Sequence, residues 1–170
     1  MAELTQKERL QPSLLDRLTD NEPQERQESR ERRILSPSRL HESVRRDLTW
    51  LFNTPNLATV MDLSKFPFLM ESVVNFGLPS LAGRTTSSID IVEFERLLRQ
   101  AIWTFEPRLI RNSIRVRLVA DEKQMSHNAL SFFIEAELWA QPIPLRLFLK
   151  TDIDLEAGVA NVVETGGPAG

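Results

Sequence analysis

With 170 residues, of which 41% are apolar and 26% charged, the chain is long enough for one domain with a real hydrophobic core and too short for two comfortable ones. It contains no cysteine, which excludes a disulfide framework, thiolate chemistry and cysteine–zinc sites. The formal net charge of −3 gives no overall electrostatic reason to expect nucleic acid.

No apolar run is long enough to span a bilayer, and the charged start from Met1 to Arg9 lacks the apolar stretch of a secretory signal. A cytoplasmic protein without direct membrane insertion is therefore expected. The first predicted element lies in Gln11-Pro12-Ser13-Leu14-Leu15-Asp16-Arg17-Leu18. Ser13 is placed to cap one helical turn, with Asp16 at the third position of a capping box, and Leu10, Leu14 and Leu18 share a face. So short a piece is unstable alone, so it either docks on the domain or orders on a partner. The run Asn21 to Arg33 alternates acidic and basic side chains, with pairs such as Glu22/Arg26, and reads as a solvated linker or an exposed helix.

The compact domain is expected from Ile34. Ser36-Pro37 is a helix start, with Leu40, Val44, Leu48 and Leu51 on one stripe and Asn53-Thr54-Pro55 ending the run. A second helix is predicted from Pro67 to Phe76, where Phe66, Leu69, Met70, Val73 and Phe76 recur at helical spacing before Gly77 and Pro79. After a Gly/Ser loop, a third helix is predicted from about Asp90 to Phe105, with Ile91, Phe94, Leu98, Ile102 and Phe105 as its buried stripe and Pro107 as its stop. The period then changes to alternation. Strands are predicted around Ile114–Ala120, Leu130–Leu138, Leu145–Ile153 and Val159–Val163. This order predicts an α+β domain, N-terminal helices packed on a three- to four-stranded antiparallel sheet. The expected organisation is a polar N-terminal extension with a short docking turn over 1–33, the α+β domain over 34–165, and a flexible tail over 166–170.

Catalytic constellations are scarce. His41 and His127 have no metal-ligand spacing to each other or to acids, and no phosphate loop, nucleophile elbow or dinucleotide fingerprint is present. No cofactor and no metal are expected. The best enzymatic alternative is a glycoside hydrolase that cleaves peptidoglycan, since two carboxyl groups leave little sequence trace. Glu106 is its candidate acid, between the apolar Trp103–Phe105 helix end and a proline, but Arg108 two positions on favours an ion pair instead. Phe133, Trp139 and Phe148 fall opposite the aliphatic core series, either burying under another segment or forming an interaction patch. The short run Val159–Val163 either offers a free sheet edge or merely completes the sheet.

Several segments together carry a family resemblance. They are Pro12–Leu18, Ser43–Thr54 (SVRRDLTWLFNT), Ser72–Pro79 (SVVNFGLP), Phe105-Glu106-Pro107-Arg108-Leu109 and Leu149–Gly158 (LKTDIDLEAG). In their order and spacing they resemble the TssE family, baseplate subunits of bacterial type VI secretion systems, related to the small wedge protein of contractile phage baseplates often labelled lysozyme-like. The resemblance implies a non-catalytic structural role in a membrane-docked cytoplasmic baseplate. It implies partners TssF, TssG and TssK in the wedge and the sheath proteins TssB and TssC. The family's Glu-Pro-Arg motif maps onto Glu106, Pro107 and Arg108 and is implicated in wedge and sheath assembly. Held by the helix end and the proline, Glu106 and Arg108 are expected to project charges for docking. Leu14, Leu15 and Leu18 form the second expected docking element.

Overall fold

The computed structural model describes residues 13–19, 24, 36–119, 128–140 and 143–167. Three α-helices appear where capping and apolar period predict helix, with one exception described below. Helix α1, Leu14–Leu18, is capped by Ser13, whose Oγ accepts the Asp16 N–H at 3.2 Å. Helix α2, Pro37–Phe52, starts at Ser36, whose Oγ accepts from Arg39 N–H, and buries Leu40, Val44, Leu48 and Leu51. Helix α3, Ile91–Phe105, is capped by Asp90 and buries Phe94, Leu98 and Ile102. The run Asn21 to Arg33, apart from Gln24, and His127 lie outside the described residues.

The sheet is an antiparallel meander in the order β1-β2-β3-β4, formed by Arg115–Val119, Ala129–Leu138, Leu145–Asp154 and Val159–Glu164. Its central pairing sets Ala129 against Asp154 and Leu138 against Leu145. Because side chains alternate along each strand, this register places Val116, Phe132, Ile134, Leu147, Leu149, Ile153, Ala160 and Val162 on the face that meets the helices. Phe94 of α3 packs on Phe132 with ring centroids 5.3 Å apart. Helix α2 lies along β4 and α3 along β1.

The other face of the sheet divides the three outward aromatics. Phe133 and Phe148 stack on each other at 6.1 Å and are half-buried, with Thr165 N–H bonded to Phe148 C=O at 2.9 Å as the chain passes over them. Trp139 stands 55% exposed.

The predicted helix over Pro67–Phe76 is not formed. Two 3-10 turns, Pro67–Leu69 and Val73–Asn75, replace it. Extended Ser72 separates them and accepts the Val74 N–H with its own hydroxyl. Asn75 is buried and ties the segment into a compact loop. Its amide donates to Met70 C=O at 3.0 Å and accepts from Ala58 N–H at 2.9 Å. Side-chain amides that bond the local backbone compete with helical hydrogen bonds, and here that local alternative replaces the helical period. The apolar residues of that stripe are consequently not all inside, since Phe66, Met70 and Val73 are exposed.

Both outer strands of the sheet have neighbours on their free edges. Val159–Val163 does lie at an edge, but its main chain is partly taken. Asn53, at the end of α2, donates to Ala160 C=O at 2.8 Å and accepts Ala160 N–H at 2.9 Å, as a neighbouring strand would. Arg45 reaches Val162 C=O at 3.4 Å. On β1, Glu95 of α3 accepts the Leu118 N–H at 2.7 Å.

Gly77 has a backbone requirement of its own. Its φ is +125°, and an added Cβ would stand 2.1 Å from Thr54 O, where Leu78 N–H and Asn56 N–H pair the loop to the end of α2. Gly77→Ala therefore combines a forbidden conformation with a backbone clash. It is expected to lower unfolding free energy by about 2 kcal/mol or more in urea titration; an unchanged midpoint would show that the loop relaxes freely.

Candidate functional site

The site grows from the end of α3. Pro107 disfavours helical geometry at the residue before it, so Glu106 leaves the helix with φ −119° and ψ 79° while its N–H still bonds Ile102 C=O. The chain turns at once, Leu109 N–H reaching Glu106 C=O at 3.2 Å. It then runs beside the end of β2, with Trp139 N–H on Arg108 C=O and Ile110 N–H on Glu137 C=O, both at 2.8 Å. The Glu-Pro-Arg segment is thus clamped between a helix end and the sheet.

Its side chains turn inward. Glu106 is 3% exposed, and both its oxygens accept from Arg108: Nε on Oε1 at 2.7 Å and Nη2 on Oε2 at 2.5 Å. The Arg108 backbone N–H adds a third bond to Oε1 at 3.1 Å. The expected pairing with Arg108 is formed, and the paired carboxylate has almost no contact with solvent. Burial works against the Arg108 charge, yet the Glu106 and Asp47 carboxylates outweigh it and hold the guanidinium above its ordinary pKa.

The network then crosses to α2. Arg108 Nη1 donates to Ser43 Oγ at 3.1 Å and Nη2 to Asp47 Oδ2 at 2.5 Å. Asp47 Oδ1 accepts from Arg46 Nε at 2.9 Å. Arg46 Nη1 donates in turn to Asp16 of α1 at 2.5 Å, and its guanidinium lies 5.1 Å from the centroid of the Trp50 ring. Alternating charge therefore joins α3, α2 and α1 in one chain of contacts. The two expected docking elements, separate in sequence, are linked through Arg46 and Asp47.

Helix α1 is held by its polar side. Leu14, Leu15 and Leu18 are 70%, 44% and 74% exposed, and Trp50 is also exposed. Pro107, between Glu106 and Arg108, is also exposed. From the sequence Ser43, Arg46 and Asp47 carry no individual role, and Asp16 only that of a capping-box residue. The available signal was the spacing of Ser43 and Asp47, four residues apart and so on one face of a helix. Of the histidines, His41 bonds Glu164 through Nδ1 at 2.7 Å, tying α2 to β4.

Removing Arg108 strands a buried carboxylate. Arg108→Ala is expected to cost about 3 kcal/mol of unfolding free energy, and Glu106→Leu/Arg108→Leu less than the sum of its single changes. Urea titrations of the native chain, Arg108→Ala, the two single leucine variants and the double variant test this, and additive losses in the leucine cycle would show that the two side chains are not coupled. A pH effect follows from Asp16. Burial raises its carboxyl pKa, but bonds from Arg46 and Ser13 outweigh that and leave it below the ordinary value. Its contribution is complete above the unfolded carboxyl pKa of about 4 and disappears as pH falls through the lower folded value. Amide exchange at residues 14–18, corrected for intrinsic rates, should accelerate in that acid window while α3 stays protected. Asp16→Asn should show fast exchange at neutral pH; protection unchanged by Asp16→Asn would sink the idea.

Searches among curated proteins and among solved structures each gave no match. The family model described as Baseplate wedge protein gp25 matches residues 38–143, a span that holds α2, the Glu106-Pro107-Arg108 turn and the first half of the sheet. The chain therefore belongs to the baseplate wedge protein gp25 family and is a structural component of the baseplate of a contractile system.

Proposed function

We propose that this chain is the TssE-like subunit of a type VI secretion baseplate, binding wedge subunits of the TssF, TssG and TssK kind and supporting assembly of a TssB/TssC sheath. Family membership supports the baseplate role, and the resemblance carried jointly by Pro12–Leu18, Ser43–Thr54, Ser72–Pro79, Phe105–Leu109 and Leu149–Gly158 supports the type VI branch. The observation that carries the docking assignment is the exposure of Leu14, Leu15 and Leu18 on a helix fixed from behind by the Asp16–Arg46 pair. An apolar group already held in place loses little further freedom on binding, so more of its burial appears as affinity. Glu106 and Arg108 act in this reading as the support of the surface, and Pro107 as an exposed contact between them.

The role is non-catalytic. A general acid must come within hydrogen-bond reach of the leaving oxygen, whereas Glu106 is buried with both oxygens on one guanidinium. Asp47, the nearest further carboxylate in the network, binds the same Arg108. Two acids bridged by one cation suit assembly better than hydrolysis.

Leu14→Asp/Leu18→Asp tests the surface without touching the core. Co-purification of the full chain with TssF and TssG should fall at least tenfold, a loss of about 1.4 kcal/mol, while thermal unfolding stays unchanged. An intact complex would remove α1 from the interface, and peptidoglycan cleavage by the native chain that is lost in Glu106→Gln would overturn the non-catalytic reading.

A further inference from the structure

Away from the Glu106–Arg108 network, an open groove of about 460 Å³ runs along the outer side of β1, where the strand faces α3. Arg99 and Trp103 line it from the helix, Arg111 from the turn before the strand, and Arg115, Val116 and Arg117 from the strand. None of the four arginines makes an ion pair with any described residue, whereas Arg46, Arg96 and Arg108 each hold a carboxylate and Arg45 a carbonyl. Glu135 stands opposite Arg115 in the β1–β2 register without pairing to it. Four guanidinium groups around one groove, none in an ion pair among the described residues, form a local positive cluster in a chain whose formal net charge is −3.

The groove is also built to stay in place. Trp103 Nε1–H donates to Arg111 C=O at 3.0 Å, fixing the ring to the turn. Ser113 Oγ donates to Ile110 C=O at 2.6 Å and accepts Glu137 N–H at 2.8 Å, fixing the turn to β2. Since Leu118 gives its N–H to Glu95 rather than to β2, the alternation of an antiparallel ladder turns the N–H and C=O of Val116 outward as well. Main-chain groups at the floor and guanidinium groups on the walls are complementary to an extended peptide with carboxylate side chains.

We propose that this groove binds an extended acidic segment of a partner protein, at a surface separate from the α1 leucines. A polynucleotide would share the charge complementarity, but its phosphates can only accept from the Val116 N–H, whereas a peptide strand pairs with both the N–H and the C=O.

The test uses the full chain and a fluorescein-labelled ten-residue peptide alternating Glu with Val. Fluorescence anisotropy should show saturable binding that weakens as salt is raised, while the corresponding Lys/Val peptide does not bind. Arg115→Glu/Arg117→Glu should weaken binding about tenfold or more, and Arg99→Glu/Arg111→Glu, on the opposite wall, should do the same. Arg39→Glu, exposed on the first turn of α2, serves as the charge control and should leave binding within about twofold. Circular dichroism confirms that each variant folds. Equal loss in the Arg39 control, no salt-dependent binding, or tighter binding of a ten-nucleotide single strand through the same arginines would each overturn the proposal. This outcome is separable from that of the leucine test, because Leu14→Asp/Leu18→Asp should leave peptide binding unchanged.

Discussion

A carboxylate with almost no solvent contact governs the arrangement of this molecule's helices. Once Glu106 is inside, the only inexpensive solution is a cation with geometry to match both its oxygens, and Arg108 supplies it from two residues away. The proline between them makes that possible by ending α3 and turning the chain. The guanidinium has donors to spare, and Ser43 and Asp47 use them, which fixes α2 against the end of α3. Such a pair need add little net stability over an apolar substitute. Its effect is to make one orientation of the helices better satisfied than any other.

The same logic explains how a five-residue helix can be placed at all. Helix α1 has too few turns to be stable by itself and buries none of its three leucines. What fixes it is the far end of the charge network, where Asp16 meets Arg46 and Arg46 lies against Trp50. An ion pair at a partly exposed position is a weak tether. It suffices to orient a helix, and it leaves the apolar side free for a larger surface. A baseplate subunit needs such faces, since it is completed by its neighbours and not by its own core.

The fold was legible where one periodicity dominated. The stripe of Leu40, Val44, Leu48 and Leu51 and that of Phe94, Leu98 and Ile102 are buried as spaced, and strict alternation located all four strands to within a few residues. The region from Pro67 to Phe76 shows the limit. Its apolar spacing is helical, yet Ser72 and Asn75 bond the backbone locally and break the segment into two turns. Phe133 and Phe148 show another. Their alternation put them outside the core, but only the return of the chain near Thr165 decides that they are half-covered while Trp139 is not.

The sequence by itself determined the helix starts at Ser36 and Asp90, the stop at Pro107, the alternation of the strands and the Glu-Pro-Arg motif. These rest on local physics: a capping hydroxyl, a missing N–H, a period of 3.6 or 2. Tertiary structure alone decided that Glu106 points inward, that Asp47 and Arg46 carry its charge pairing to Asp16, and that Asn53 closes one sheet edge while four arginines gather along the other. Those outcomes depend on side chains tens of residues apart meeting in space, and the sign and reach of a charge say nothing about which partner it will meet until the backbone has brought them together.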